Sequence, residues 1–147
     1  MLGVRCREIL HGGFYLLSDP VDERPADLFL DVDIPDVTNV ARSRLARLRG
    51  TIRLEGFADD PRAAGKLIVN REQRRLAYDL RFGALDGTRH RFWGYRQLEL
   101  LDPIDSATLI RASLYDGDAH EIGRAMLRFD LRGGWKALLR SFRVRVW

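Results

Sequence analysis

The chain has 147 residues, of which 46% are hydrophobic and 31% charged, with a formal net charge of +4. This is the usual length of one domain, and it is long enough to bury a sizeable core without a disulfide. A single cysteine (Cys6), no secretory leader and no apolar run of roughly 20 residues predict a cytoplasmic protein without stable membrane insertion.

The first 34 residues predict two strands, GGFYLL (12–17) and DLFLDVDI (27–34), around a loop over 18–27. The loop is expected because this stretch carries two prolines and several acidic residues. Asp36 is a candidate N-cap for a short helix over 37–48, whose apolar residues recur at helical spacing.

From Arg47 to Leu131 apolar and polar residues alternate, which is typical of strands with one buried and one wet face. A loop is predicted over 57–65, and Asp86-Gly87 predicts a tight hairpin turn. Gly50 lies inside a strand, where glycine often marks a bulge or a close backbone approach. The predicted strands of this region are 47–56, 65–71, 74–82, 90–101, 108–115 and 121–131.

The period changes after Gly133-Gly134, where apolar residues predict one face of a helix: Trp135, Leu138, Leu139 and Phe142. We expect this helix to pack on the sheet as a lid or plug; the alternative is a basic amphipathic membrane anchor. The whole chain, 1–147, is thus predicted to be mainly β. We expect one domain, an antiparallel barrel or sandwich of about eight strands (calycin-like or similar) with a C-terminal helix.

Motifs for catalysis, metal binding and cofactor binding are missing from the sequence. There is no nucleophile elbow, glycine-rich nucleotide loop or histidine pair at ligand spacing, so we predict no catalytic residues, metal site or cofactor. The turn around Asp116, Asp118 and His120 has too few acids for a calcium loop. The arginines alternate with acids, and for this reason we also predict no nucleic-acid partner.

Strand 90–101 carries the one constellation that suggests a site. Its parity, combined with the hairpin, points four side chains into the interior: Tyr78, His90, Phe92 and Arg96. A buried arginine is costly unless it is paired. The acids Glu55, Asp79 and Glu99 would face it only through a bulge. A pocket for an amphipathic ligand would explain an inward arginine without an inward acid. In the alternative parity, Trp93 and Tyr95 point inward and Arg96 lies in water.

From Gly50 onward the chain resembles a β-rich accessory domain associated with bacterial cholesterol-oxidase-like GMC flavin oxidoreductases. The resemblance implies an accessory domain next to lipid or sterol chemistry, without a flavin site of its own. Family members often have lysine where this chain has Arg96, which keeps the charge and alters its geometry. The residues that carry the resemblance are Gly50, Gly65, 74–78, Asp86-Gly87, 94–96, 106–109, Gly123 and 138–142.

Three functions are consistent with these patterns. The first is a non-catalytic module that binds an apolar or amphipathic small molecule, of lipid or sterol class, at Tyr78, His90, Phe92 and Arg96. The second is an interaction domain that forms a homodimer or docks on a partner oxidoreductase through Trp93, Tyr95 and Trp147. The third is a small enzyme with His90 as acid or base.

Overall fold

Antiparallel strands and the turns between them form the described part of the chain, which covers residues 2–34, 45–70, 72–97, 109–129 and 143–146 in a computed structural model. Eight long strands build a barrel, and a short ninth strand is added to it. Their bounds are β1 Leu2–Leu16, β2 Asp19–Ile34, β3 Leu45–Leu54, β4 Ala58–Asn70, β5 Arg75–Gly83, β6 Arg89–Gln97, β7 Leu109–Tyr115, β8 Glu121–Phe129 and β9 Arg143–Val146.

Each strand from β1 to β7 pairs with the next one along the chain, and β1 also pairs with β8. This second pairing of β1, along Leu10–Leu16, closes the sheet into an up-and-down barrel. The second half of β1 pairs with β8 (Leu16 opposite Gly123), and its first residues pair with β9. The alternation predicts a barrel or a sandwich, and the structure is the barrel, with β1 and β2 in its wall.

The interior is filled by every second residue of the strands. Large apolar side chains are fully buried there, as the period of two requires. On β5 and β6 the inward faces meet at facing pairs, among them Leu80 opposite Phe92 and Phe82 opposite His90. The largest fully buried side chains are Tyr78, Phe14, Phe82, Phe92, Leu10, Leu28, Leu30, Leu48, Ile52, Leu54, Leu80 and Ile110.

Gly50 and Gly65 lie where a neighbouring strand approaches closely. A Cβ on Gly50 would overlap the carbonyl oxygen of Phe29, and the register between β3 and β4 shifts directly after this residue. The predicted bulge and close approach at Gly50 are both confirmed. A Cβ on Gly65 would in the same way overlap the carbonyl oxygen of Asp79. Such glycines let a sheet bend sharply enough to close.

Two predicted loops are strands. Residues 19–27 belong to β2 and 58–65 to β4. The prolines are tolerated because residues 19–25 pair with β1 alone, so the amide that Pro25 lacks is not needed by a second neighbour. In β4, Pro61 lies beside the bulge in the β3–β4 ladder, where one pairing is already lost.

Neither predicted helix is part of the described structure. The last four residues of the helix predicted over 37–48 lie in β3 instead, where they pair with β4. Their ladder hydrogen bonds override the weak helical spacing. Residues 35–44 and the helix predicted after Gly134 lie outside the described residues. Within the described ranges there is no helix with the length and apolar character needed to cross a bilayer.

Short turns connect the strands at one end of the barrel, which we call the turn end. The predicted hairpin turn at Asp86-Gly87 is confirmed: Gly87 has a positive φ of 85°, and the Asp86 carboxylate accepts hydrogen bonds from the Thr88 amide and hydroxyl. Asp116 closes the next turn by accepting from the amides of Asp118 and His120. At the opposite end, the far end, β2 and β6 finish and β3 and β7 begin.

Candidate functional site

Three polar side chains meet inside the barrel, in the halves of their strands nearer the far end. The Tyr78 hydroxyl donates to Glu8 Oε2 at 2.9 Å, and Arg96 Nη2 donates to Glu8 Oε1 at 3.3 Å. The Arg96 guanidinium also lies 4.6 Å from the centre of the Phe129 ring and 5.7 Å from that of Tyr78. We call Glu8, Tyr78 and Arg96 the interior polar cluster.

Strand order explains why these residues meet. Glu8 lies on β1 and Tyr78 on β5, four strands apart in either direction around the ring of eight. Their hydrogen bond therefore crosses the barrel from wall to wall. Arg96 enters from β6, where it pairs in register with Leu76. The cluster is a transverse link, and it separates the core at the turn end from the interior at the far end.

Burial dominates the electrostatics of the interior polar cluster. Glu8 is 7% exposed and Tyr78 is fully buried. Burial raises the pKa of the Glu8 carboxyl, and the Arg96 charge and the Tyr78 hydrogen bond offset this in part. The pKa of Tyr78 is raised as well, first by burial and then by the negative charge of Glu8, so the phenol stays protonated and remains a donor.

Apolar side chains surround the interior polar cluster on the far-end side. Cys6 lies two residues before Glu8 and faces Val32 across the β1–β2 ladder; Leu67 faces Tyr78 across β4–β5. All three are buried. Burial, reinforced by Glu8, raises the pKa of the Cys6 thiol to about 11, so the thiol is a neutral packing group. The interior polar cluster is therefore flanked by buried apolar side chains.

All four residues predicted to point inward do so, but they do not form one site. Tyr78 and Arg96 meet in the interior polar cluster, whereas His90 lies at the turn end with its ring 5.0 Å from Phe57 and 5.8 Å from Phe82. His90 Nδ1 is 3.2 Å from the Thr88 carbonyl oxygen. Phe92 is fully buried in the apolar core between these two regions.

The alternative parity of strand 90–101 is wrong. Trp93 and Tyr95 lie on the outer wall, where Arg91 and Arg75 cover their rings at 4.8 and 4.6 Å. Asp79 also faces outward, and Arg91 holds it through both carboxylate oxygens at 2.8 and 3.1 Å. Glu55 is exposed, and Glu99 lies outside the described residues.

The expectation of an inward arginine without an inward acid is also wrong, since the acid is Glu8. Glu8 is not part of the predicted site because the sequence pattern predicts no strand before residue 12. The signal was present: Cys6, Glu8 and Leu10 alternate with Arg5, Arg7 and Ile9. Glu8 lies on the apolar side of that alternation, as Arg96 lies on the apolar side of β6, so the two opposite charges face the same interior.

The outer surface of the barrel carries several clefts. One cleft of about 460 Å³ at the turn end is lined by Arg81, Arg89, Arg91 and Tyr115, and another of about 420 Å³ lies between arginines and aspartates of β1, β2 and β3. Among the described residues, no group of three or more His, Cys, Asp or Glu side chains is placed to hold a metal ion.

The chain matches no protein-family model, no curated protein and no solved structure. The likeness to the oxidoreductase-associated domain rests on the sequence pattern described above and stays a prediction.

Proposed function

We propose that this protein is a non-catalytic module that binds an amphipathic small molecule of lipid class inside the barrel. The polar end of the molecule contacts Glu8, Tyr78 and Arg96, and its apolar part lies toward the far end along Cys6, Val32 and Leu67. The single observation that carries the proposal is the ion pair between Glu8 and Arg96, whose side chains are only 9% and 15% exposed, in a mostly apolar interior.

The energetics of burial support a binding role for this pair. Removing two charges from water costs several kcal/mol per ion, and well-packed apolar residues in their place are often as stable or more stable. Eight-stranded barrels are also of a size that either packs solid or holds one small ligand. Because apolar residues could stabilise the fold equally well, we attribute the Glu8–Arg96 ion pair to ligand binding.

Fluorescence titration with N-phenyl-1-naphthylamine, a neutral apolar probe, tests the proposal directly. We expect saturable binding, displacement by lipids, and a retained lipid in native mass spectra of the purified protein. Tyr78→Phe should weaken lipid binding about tenfold, because it removes the Tyr78 hydroxyl that the polar end of the lipid contacts. Tyr95→Phe on the neighbouring strand, with its ring on the outer wall, is the matched control and should bind as wild type.

The binding proposal is overturned if the probe does not bind saturably and native spectra show only the bare chain. It is also overturned if Tyr78→Phe and Tyr95→Phe bind equally well.

A second candidate function is docking on a partner protein or a second copy, favoured by one observation. Tyr95 of β6, Arg111 of β7 and Met126 of β8 are neighbours in the ladder on the outer wall, beside Trp93, and Met126 is 50% exposed. Sedimentation velocity tests self-association. Dimers of the wild-type chain that dissociate in Met126→Lys would support this function, and a monomer across the micromolar range would count against the homodimer.

A further inference from the structure

Three arginines line the cleft of about 460 Å³ at the turn end, on the outer wall of the barrel. We call it the turn-end cleft. Arg81 of β5 lies directly opposite Arg91 of β6, and Arg91 lies directly opposite Tyr115 of β7. Side chains in such facing positions share one face of the sheet, with Cβ atoms about 5 Å apart. The register therefore places two like charges and a phenol in one row, and Arg89 follows on the same face of β6.

The positive charge of the turn-end cleft is only partly balanced. Arg91 donates to Asp79 through Nε and Nη2, so its third nitrogen, Nη1, lies outside that pair. Among the described residues, no carboxylate forms an ion pair with Arg81 or Arg89, and both side chains are exposed. Asp116 is the one acid in the lining, and its Oδ1 already accepts from two amides of its own turn. The lining therefore carries more positive than negative charge.

Two short turns, both within the described part of the chain, flank the turn-end cleft. One joins β5 to β6 and is closed by the Asp86 carboxylate, and the other joins β7 to β8 and is closed by Asp116. The second turn lies against the start of β6, since a Cβ on Gly117 would be 3.6 Å from the Arg89 carbonyl oxygen. Both walls are thus held by their own hydrogen bonds, which reduces the ordering that a ligand must impose when it binds.

A phosphate group suits this arrangement chemically. Guanidinium groups bind phosphate oxygens through paired, charge-assisted hydrogen bonds, and a tyrosine hydroxyl can add a neutral donor. An anion between Arg81 and Arg91 would also offset the repulsion between like charges that face each other across a ladder. The volume of the cleft lies within the range of about 300–1,000 Å³ that is typical of small-molecule sites, so the rest of a small ligand has room beside its phosphate.

We propose that the turn-end cleft binds the phosphate group of a phosphorylated molecule, with Arg81 and Arg89 as its main contacts and Arg91 and Tyr115 beside them. The site lies on the outer wall, so it does not depend on ligand binding inside the barrel. A soluble phosphomonoester and the head group of phosphatidic acid present the same chemistry to these arginines, and binding measurements separate the two sources.

Isothermal titration calorimetry with inorganic phosphate and with glycerol 3-phosphate, at pH 8 and an ionic strength held constant with NaCl, tests the site. We expect saturable binding with a Kd of about 1 mM or tighter. Arg81→Gln and Arg89→Gln should each weaken binding about tenfold, because charge-assisted hydrogen bonds to phosphate are lost. Arg128→Gln is the matched control: Arg128 is an exposed arginine of β8 that does not line the cleft. This variant should bind as wild type.

Thermal unfolding gives a second readout. Phosphate should raise the Tm of wild type and of Arg128→Gln above the value in NaCl of the same ionic strength, and it should raise the Tm of Arg81→Gln much less. The proposal is overturned if phosphate acts no differently from NaCl in both measurements. It is also overturned if the Arg81, Arg89 and Arg128 variants bind phosphate equally tightly.

Sedimentation with phosphatidylcholine vesicles, with and without phosphatidic acid, identifies the source of the phosphate group. Sedimentation that requires phosphatidic acid and is lost in Arg81→Gln supports the site and assigns it to a lipid head group. Binding of glycerol 3-phosphate without sedimentation supports the site and assigns it to a soluble phosphomonoester.

Discussion

The Tyr78 hydroxyl and the Glu8 carboxylate, 70 residues apart in the chain, are joined across the width of the barrel at 2.9 Å. Neighbouring strands in a barrel are held by backbone ladders, but opposite walls are held only by what fills the space between them. Here a charge-assisted hydrogen bond joins β1 to β5, and Arg96 adds an ion pair from β6. Substitutions at this link report both on stability and on any ligand that touches it.

Removing one charge of the pair should destabilise the protein more than removing both. We expect Glu8→Leu to lower the free energy of unfolding by about 3 kcal/mol, because the largely buried Arg96 loses the carboxylate that lies 3.3 Å from it. Glu8→Leu combined with Arg96→Met should recover most of that loss, as urea denaturation would show. Arg53→Met, which breaks the exposed pair with Asp59, is the control and should cost less than about 1 kcal/mol. A double variant that loses the sum of both single losses would contradict this account.

The raised pKa of Glu8 gives a pH dependence of known sign. The folded state holds this proton to a higher pH than the unfolded chain, whose value is 4.5. The stability that Glu8 contributes is therefore fully present below 4.5 and is lost as the pH rises through the folded-state pKa. Urea denaturation at half-unit steps above pH 4 should show the difference in unfolding free energy, wild type minus Glu8→Gln, falling with pH.

Asp86 and Asp116 are exposed carboxyls whose pKa values are lowered in the folded protein. The stability that they contribute to the folded protein is lost as the pH falls. Both carboxyls are present in wild type and in Glu8→Gln, so their effect cancels in the difference between the two unfolding free energies. A difference that rose with pH would mean that Arg96 and Tyr78 outweigh burial at Glu8.

Cys6 should be an unreactive thiol in the folded protein. Raising its pKa from 9.0 to about 11 lowers the thiolate fraction at pH 8 by about 100-fold, and the thiolate is the nucleophile. We expect iodoacetamide to modify native Cys6 at least about 100-fold more slowly than the urea-unfolded chain. Mass spectrometry of timed samples gives both rates. Equal rates would show that the thiol is open to solvent.

Gly65 should not tolerate a side chain. A Cβ there would overlap the Asp79 carbonyl oxygen and lie 2.8 Å from its carbonyl carbon, so β4 and β5 would have to move apart. We expect Gly65→Ala to cost about 3 kcal/mol or more in thermal or urea unfolding. Gly117→Ala is the control because the nearest atom, the Arg89 carbonyl oxygen, is 3.6 Å away. Its effect should stay within about 0.5 kcal/mol.

The sequence pattern predicts strands correctly where the two faces of a strand differ in polarity. On β5 and β6 the alternation and the Asp86-Gly87 turn together predict which side chains meet inside, since a hairpin turn sets the register of its two strands. The sequence pattern predicts loops over 19–27 and 58–65, and the structure has strands there. Residues 19–25 are held in β2 by pairing with β1, and 58–65 are held in β4 by pairing with β3 on both sides of a bulge. Local sequence does not encode pairings with distant strands.

The candidate site was predictable in part for the same reason. Tyr78 and Arg96 lie on adjacent strands joined by a recognisable turn, so their shared face follows from local sequence. Glu8 joins them only after the sheet has closed, because β1 meets β5 and β6 across the interior rather than along a ladder. Contacts of that kind depend on the number of strands in the ring, which local patterning does not determine.

The position of β1 also sets the order of events when the chain is made. It is the first barrel strand to leave the ribosome, yet one side of its second half is completed only by β8, the last barrel strand to be synthesised. Until then that side presents unpaired amide and carbonyl groups to other chains, the situation in which strands add to a foreign edge. A barrel sealed by its first and last strands gains its protection from aggregation late, and its folding rate is governed by the slow encounter of distant segments.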